Sequence, residues 1–372
     1  MNNTRITIIA LLGLFVTLSV AVAQSLDIPP NGGNKKATVT EAIGITDVTI
    51  NYHRPGVRGR EGKIWGRVVP YGFKYFSFIT LKSEQPWRGG ANENTTISFE
   101  HDVKVEGKDL AAGTYGLHFA VWPDSCIVIF SKSHDAWGSF DYQEKDDALR
   151  VVVKPQQSEA PVEWLKYEFI DQTATGATIA LMWEKLKIPF KVDVDVDKTV
   201  IDRMREQLKG SVGHQYQNWV GAVEYCVEAG KNLEEALYWS ERGISGFGGE
   251  KNYATLSTRA DVLEKLERQA EADSVRKEIL KIGTSLQISQ YASDLTRRKK
   301  FKEALSAAQF NIQRNGEDLS SLVAVARAYS ANGDFKKALV HAEKAVPLAT
   351  NPGTKSWIEG MVAKLKKGEN IH

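Results

Sequence analysis

The chain has 372 residues, more than one hydrophobic core usually organises, so two domains are expected. Its 48 Lys and Arg against 46 Asp and Glu leave a formal net charge of +2, which excludes the global basic field of a non-specific nucleic-acid binder. Arg297–Lys300 is the longest basic run and reads as a solvated face at a helix end.

Residues 1–23 read as a signal peptide. Arg5 supplies the positive start, Ile6–Val20 an apolar stretch, and Ala21-Val22-Ala23 a small-x-small cleavage site. The apolar stretch falls short of the roughly 20 residues that a spanning helix needs. Cleavage after Ala23 and a periplasmic or extracellular location are therefore expected, with no membrane span in the mature chain. Cys126 and Cys226 fall one in each half, which suits two buried free thiols better than a disulfide framework.

Residues 24–36, with Pro29-Pro30 and Gly32-Gly33, read as a flexible leader. From 37 to 197 apolar residues alternate in short runs: Val48, Ile50 and Tyr52; Val103 and Val105; Tyr115, Leu117 and Phe119; Ile127 and Ile129. Val151–Val153 and Thr178–Trp183 are further strand candidates, and Glu106-Gly107, Ala112-Gly113, Trp122-Pro123 and Thr175-Gly176 mark turns. Short strands with regular Gly and Pro punctuation predict an antiparallel β-sandwich or barrel. Asp193, Asp195 and Asp197 alternate with valines and are expected to face water at the end of the last strand.

The period then becomes helical. Val200, Met204 and Leu208 predict a connecting helix over 198–210 that ends at Gly210. Beyond it, over 211–372, Ala236, Ala270, Ala304 and Ala338 recur every 34 residues. Ser240, Ser274, Ala308 and Ala342 follow four residues later, and Leu233, Phe301 and Phe335 precede by three, with Glu267 breaking the pattern. Small residues at fixed places let paired helices approach closely. On these residues the region from about 211 to 367 resembles tetratricopeptide repeats, which implies an all-α solenoid that engages a protein or peptide partner. In the second repeat, helix 253–266 places Asp261 where an aromatic or leucine is usual.

The first domain carries its own resemblance. Arg54–Gly66 read RPGVRGREGKIWG, Val68–Gly72 VVPYG, Trp87–Ile97 WRGGANENTTI and Leu110–Leu117 LAAGTYGL, with Trp137-Gly138 before a tyrosine-containing loop. From about 38 to 189 this order resembles the exported bacterial domain-of-unknown-function family 2911, which implies a β fold and export but assigns no activity. The chain departs from the family by the segment Phe73–Pro86, expected to shift Trp87 and Arg88 relative to Tyr71.

Familiar catalytic patterns fail on inspection. The Asp193-x-Asp195-x-Asp197 series lacks the Gly and Glu of a calcium loop. Gly56–Lys63 is one residue too long for a phosphate loop, and Phe247 interrupts a nucleophile elbow at Ser245. No two histidines stand at a metal-binding helical spacing, and His118 reads as a core residue on a strand. No metal, cofactor or catalytic residue is assigned.

One constellation remains. Trp87, Arg88, Asn92 and Glu93 crowd around Gly89-Gly90, and Arg54, Arg58 and Arg60 occupy the earlier loop. As a ligand site, the arginines would grip a carboxylate or phosphate, Asn92 would orient it, and Trp87 would stack on it. As a structural corner, Arg88 would pair with Glu93, Asn92 would cap a turn, and Trp87 would plug the domain end. In both readings Arg54, Arg88, Asn92 and Glu93 converge. The expected function is an extracytoplasmic interaction or envelope-associated scaffold, with a small molecule or glycan at the β domain. The alternative is a hydrolase that uses Glu93 as acid or base, with Arg54 and Arg88 holding substrate.

Overall fold

The computed structural model describes residues 33–74 and 84–372. The expected signal peptide, most of the leader, and residues 75–83 of the Phe73–Pro86 segment lie outside the described residues.

Ten strands come first among the described residues: β1 (Lys35–Ile43), β2 (Thr46–Arg54), β3 (Thr96–Phe99), β4 (Val103–Val105), β5 (Lys108–Leu110), β6 (Gly113–Val121), β7 (Cys126–Ser131), β8 (Asp147–Val153), β9 (Gln156–Ile170) and β10 (Gly176–Asp193). They form two antiparallel sheets, in the orders β1-β2-β3-β6-β7-β8 and β5-β4-β10-β9. Their inward side chains meet in one core, with Ile50, Leu117 and Val128 from the first sheet against Leu165, Leu181 and Phe190 from the second. Alternation produces this directly, because successive strand residues point to opposite faces. Val48, Ile50 and Tyr52 are buried on β2, and Val103 and Val105 on β4. Glu106 and Gly107 both take positive φ in the tight β4–β5 turn.

Three expectations shift in detail. β1 starts at Lys35, already paired with Arg54, so the leader ends earlier than residue 36. On β7 the core face is Cys126, Val128 and Phe130, not Ile127 and Ile129. Ile129 is nonetheless fully buried, so hydrophobicity alone left the phase of this strand open by one residue. The three aspartates do not line a water-facing strand. Asp193 pairs with Lys191, Asp195 caps the next helix by accepting from the Lys198 N–H, and Asp197 lies in its first turn.

That helix is α1 (Val196–Lys209), and Ile201, Met204 and Leu208 bring it into the same apolar cluster as Trp219 and Trp239. Nine more α-helices follow among the described residues: α2 (Tyr216–Ala229), α3 (Leu233–Ser245), α4 (Tyr253–Lys265), α5 (Gln269–Ile282), α6 (Ser285–Arg297), α7 (Phe301–Asn315), α8 (Leu319–Ala331), α9 (Phe335–Ala345) and α10 (Pro352–Lys366). They pack as hairpins α2/α3, α4/α5, α6/α7 and α8/α9, with α10 against α9, in a tetratricopeptide-like helical-repeat region. Ala236, Ala304, Ala338, Ala308 and Ala342 are fully buried at the hairpin contacts.

The second hairpin breaks the 34-residue register. Ala270 and Ser274 are exposed, and Ala272 is fully buried in their stead. The cause is a shifted helix start. Glu267, Lys299 and Gly333 occupy the same left-handed turn before α5, α7 and α9, so α5 begins two residues later than a strict period predicts. Counted from that turn, the position of Ser240, Ala308 and Ala342 is filled by Arg276, a buried guanidinium. It pairs with Glu264 and with Asp273 (3.0 Å). Glu264 also takes Lys300, and Asp261 takes Arg298. The Arg297–Lys300 run is therefore not a plain solvated face: two of its cations clasp α4 of the preceding hairpin.

Candidate functional site

Residues 87–94 fold into a tight loop between the insertion and β3. Trp87 enters as a one-residue bridge to β6, exchanging backbone bonds with Phe119 (2.8 and 2.7 Å). Gly89 takes a left-handed φ of 63°, and a Cβ there would stand 2.5 Å from the Tyr167 hydroxyl, so no other residue fits without movement. Asn92 is left-handed as well, at 59°. These two turns fold Arg88 back, so that its Nη1 donates to the Asn92 carbonyl at 2.5 Å. Its guanidinium also lies over the Phe140 ring, 4.8 Å from the centroid. Gly138 caps it from the loop after β7; a Cβ there would come within 2.2 Å of the guanidinium carbon. Asn94 ties the two loops together through the Ala136 and Ser133 carbonyls.

The insertion is closed at its base. Lys74 and Gln85 exchange backbone bonds of 3.0 and 2.9 Å, while Gly72 and Trp87 both bond to β6. The segments on either side of the insertion, Gly72 and Trp87, thus both stand against β6.

A cavity of about 560 Å³ opens in front of this loop. Trp87, Arg88 and Asn92 line it, and so do Arg58 and Arg60 from the earlier loop. Arg54 and Glu93 do not. Arg54 is spent on β9, donating to the Leu165 (2.8 Å) and Trp164 (3.5 Å) carbonyls. The left-handed turn at Asn92 sends Glu93 the other way, where it is half-exposed and bonds His53 at 3.1 Å. No Arg88–Glu93 ion pair forms, so the structural corner built on that pair is not the one present. Arg67, Lys74 and Trp183 also line the cavity and were not singled out in the sequence. The basic character of the stretch before residue 75 was the signal for the first two. Nothing in the sequence placed Trp183, on β10, beside Trp87; their rings stack at 6.1 Å, with Trp65 edge-on to both.

The electrostatics are one-sided. Burial pulls the Arg88 pKa down, and no carboxylate among the described residues pairs with it. His118, buried beneath the same loop with Nδ1 2.9 Å from the Ser139 hydroxyl, is pushed down to about 3, first by burial and then by the Arg88 charge. His53 is lowered by burial, with Lys36 adding to the shift and Glu93 opposing it. A histidine kept neutral in the fold resists the proton that the unfolded chain accepts. Its stabilisation is therefore complete above the unfolded value and is lost as pH falls below it. From His118 alone we expect a loss of about 2 kcal/mol between about pH 7 and about pH 5. Denaturant titrations at both pH values should show His118→Gln losing that much less than the unaltered chain.

A second concavity lies on the repeats, where α6, α8 and α10 enclose about 560 Å³. Its walls are mainly apolar, with Leu286 57% and Trp357 51% exposed beside Leu319 and Val323.

The described residues thus form two antiparallel sheets followed by a helical-repeat region, each with a concavity. Residues 34–192 match the family model described as protein of unknown function (DUF2911). The helical region that follows has a structural neighbour in the crystal structure of a thermophilic TPR protein from Thermus thermophilus, at 11% identity and a TM-score of 0.29. That match covers 46% of this chain and 91% of the other. No curated protein matches the chain.

Proposed function

We propose that this is an exported, non-catalytic interaction protein whose repeats dock an apolar segment of a partner protein, while its β domain holds a small molecule or glycan. The observation that carries the reading is the groove over α6, α8 and α10. Large apolar side chains are left half-exposed there, side by side, on the face of a stacked hairpin array. The hydrolase reading gains nothing from the geometry, since Glu93 stands outside the cavity, bonded to His53. Export is supported by the sequence of residues 1–23 alone.

The test is crosslinking in intact cells followed by comparison with a Leu286→Asp, Trp357→Asp chain. A specific partner is expected with the unaltered protein and is lost with the variant, whose circular dichroism stays unchanged because both side chains are exposed. Equal recovery with both chains would refute the groove as the docking face. N-terminal sequencing of the same sample is expected to begin at Gln24; an intact Met1 would overturn export by cleavage.

A further inference from the structure

We propose that the β-domain cavity is an anion site that takes a small organic molecule bearing a carboxylate or phosphate group next to an apolar face. The inference rests on reading this cavity as a ligand site. Five cationic side chains line it, Arg58, Arg60, Arg67, Lys74 and Arg88, and no Asp or Glu among the described residues does.

Arg88 is the centre of the argument. It is held from three sides, by the Asn92 carbonyl, the Phe140 ring and the Gly138 turn. None of these carries a countercharge, and a guanidinium keeps its proton in proteins. A partly buried cation without a counterion is strongly unfavourable, so proteins normally pair it. Here the fold is shaped to keep it in place: two left-handed turns and two glycines are committed to its position. Arg60 is also fixed, since its Nε and Nη2 donate to the Val57 and Gly56 carbonyls at 2.9 and 2.7 Å, again without a carboxylate. Arg67 and Lys74 are exposed and form no ion pair among the described residues, so they add attraction without a structural task. Two fixed guanidiniums and two exposed cations suit an oxyanion. The remaining wall is apolar and aromatic: Val69, Pro86, Trp87 and Trp183. The wall calls for an organic body on the anion, not for a bare inorganic ion.

The experiment uses the purified chain and follows tryptophan emission and thermal midpoint with three classes of probe. Phenyl phosphate and benzoate are the organic anions, inorganic phosphate and acetate the bare ones, and phenol and benzamide the neutral counterparts. At least one organic anion is expected to bind saturably, to raise the midpoint, and to weaken as salt is added. Its bare and neutral counterparts are expected to bind at least about fivefold more weakly. Arg88→Met is expected to abolish binding. Since that variant disturbs a packed loop, Arg67→Ala with Lys74→Ala serves as the second test: folding should be unchanged and the affinity reduced about fivefold. Neutral probes that bind as tightly as the anions would overturn the anion assignment and leave the cavity standing as a ligand site. Inorganic phosphate binding as tightly as phenyl phosphate would overturn the organic part. Absence of any saturable response would remove both the assignment and the ligand-site reading beneath it.

Discussion

Ala272→Trp is expected to lower the unfolding free energy of the helical region by about 3 kcal/mol, whereas Ala270→Trp changes it by less than about 0.5 kcal/mol. The two positions separate spacing from structure. Strict 34-residue counting puts Ala270 at the hairpin contact, but Ala270 is exposed and Ala272 has no exposed surface. A tryptophan side chain cannot enter a closed contact between α4 and α5 without pushing the helices apart. At an exposed site it meets water. Denaturant unfolding followed by far-ultraviolet circular dichroism reads the difference, and equal midpoints for the two variants would contradict the shifted register.

The second large effect is expected at the same hairpin. Arg276 stands where neighbouring hairpins carry Ser240, Ala308 or Ala342, and its guanidinium is compensated by Glu264 and Asp273. Arg276→Met is expected to cost about 2 kcal/mol, less than a fully uncompensated buried ion because Lys300 still reaches Glu264. The pH profile distinguishes this from a packing defect. Burial raises the Glu264 pKa, but Lys300 and Arg276 together bring it below the usual carboxylate range. Stabilisation from such a group is present at neutral pH and lost as pH falls through the depressed folded value. Without Arg276 the folded value rises, so acid unfolding should begin at a higher pH in the variant. Identical acid profiles would mean that the pair contributes shape and no charge.

Much of the architecture was legible because it rests on periodicity. Val48, Ile50 and Tyr52 had to share a face, and Ala304 and Ala338 had to sit in equivalent hairpins. What was not legible depended on single turns. The distance from Ala236 to Ala304 is 68 residues whether the intermediate alanine is 270 or 272, so the shift within the second hairpin leaves no trace in the spacing of its neighbours. At the cavity, sequence proximity suggested an Arg88–Glu93 pair, and one left-handed residue, Asn92, sends the two side chains apart. Trp87, Arg88 and Asn92 were found because a dense polar loop is conspicuous. Trp183 was missed because it reads as an ordinary inward-facing strand residue, and only the sheet topology brings it to Trp87. His53 was missed for the same reason, lying at the buried end of β2.

The junction between the sheets and the helices is short. β10 ends at Asp193 and α1 starts at Val196, so only two residues separate them. Asp197, in the first turn of α1, is tied to the first hairpin by Tyr225 of α2 and by Lys231 of the link to α3, both at 2.9 Å. The start of the helical region is therefore fastened twice, by a two-residue link to β10, the strand that carries Trp183 into the cavity wall, and by side-chain bonds to the first hairpin.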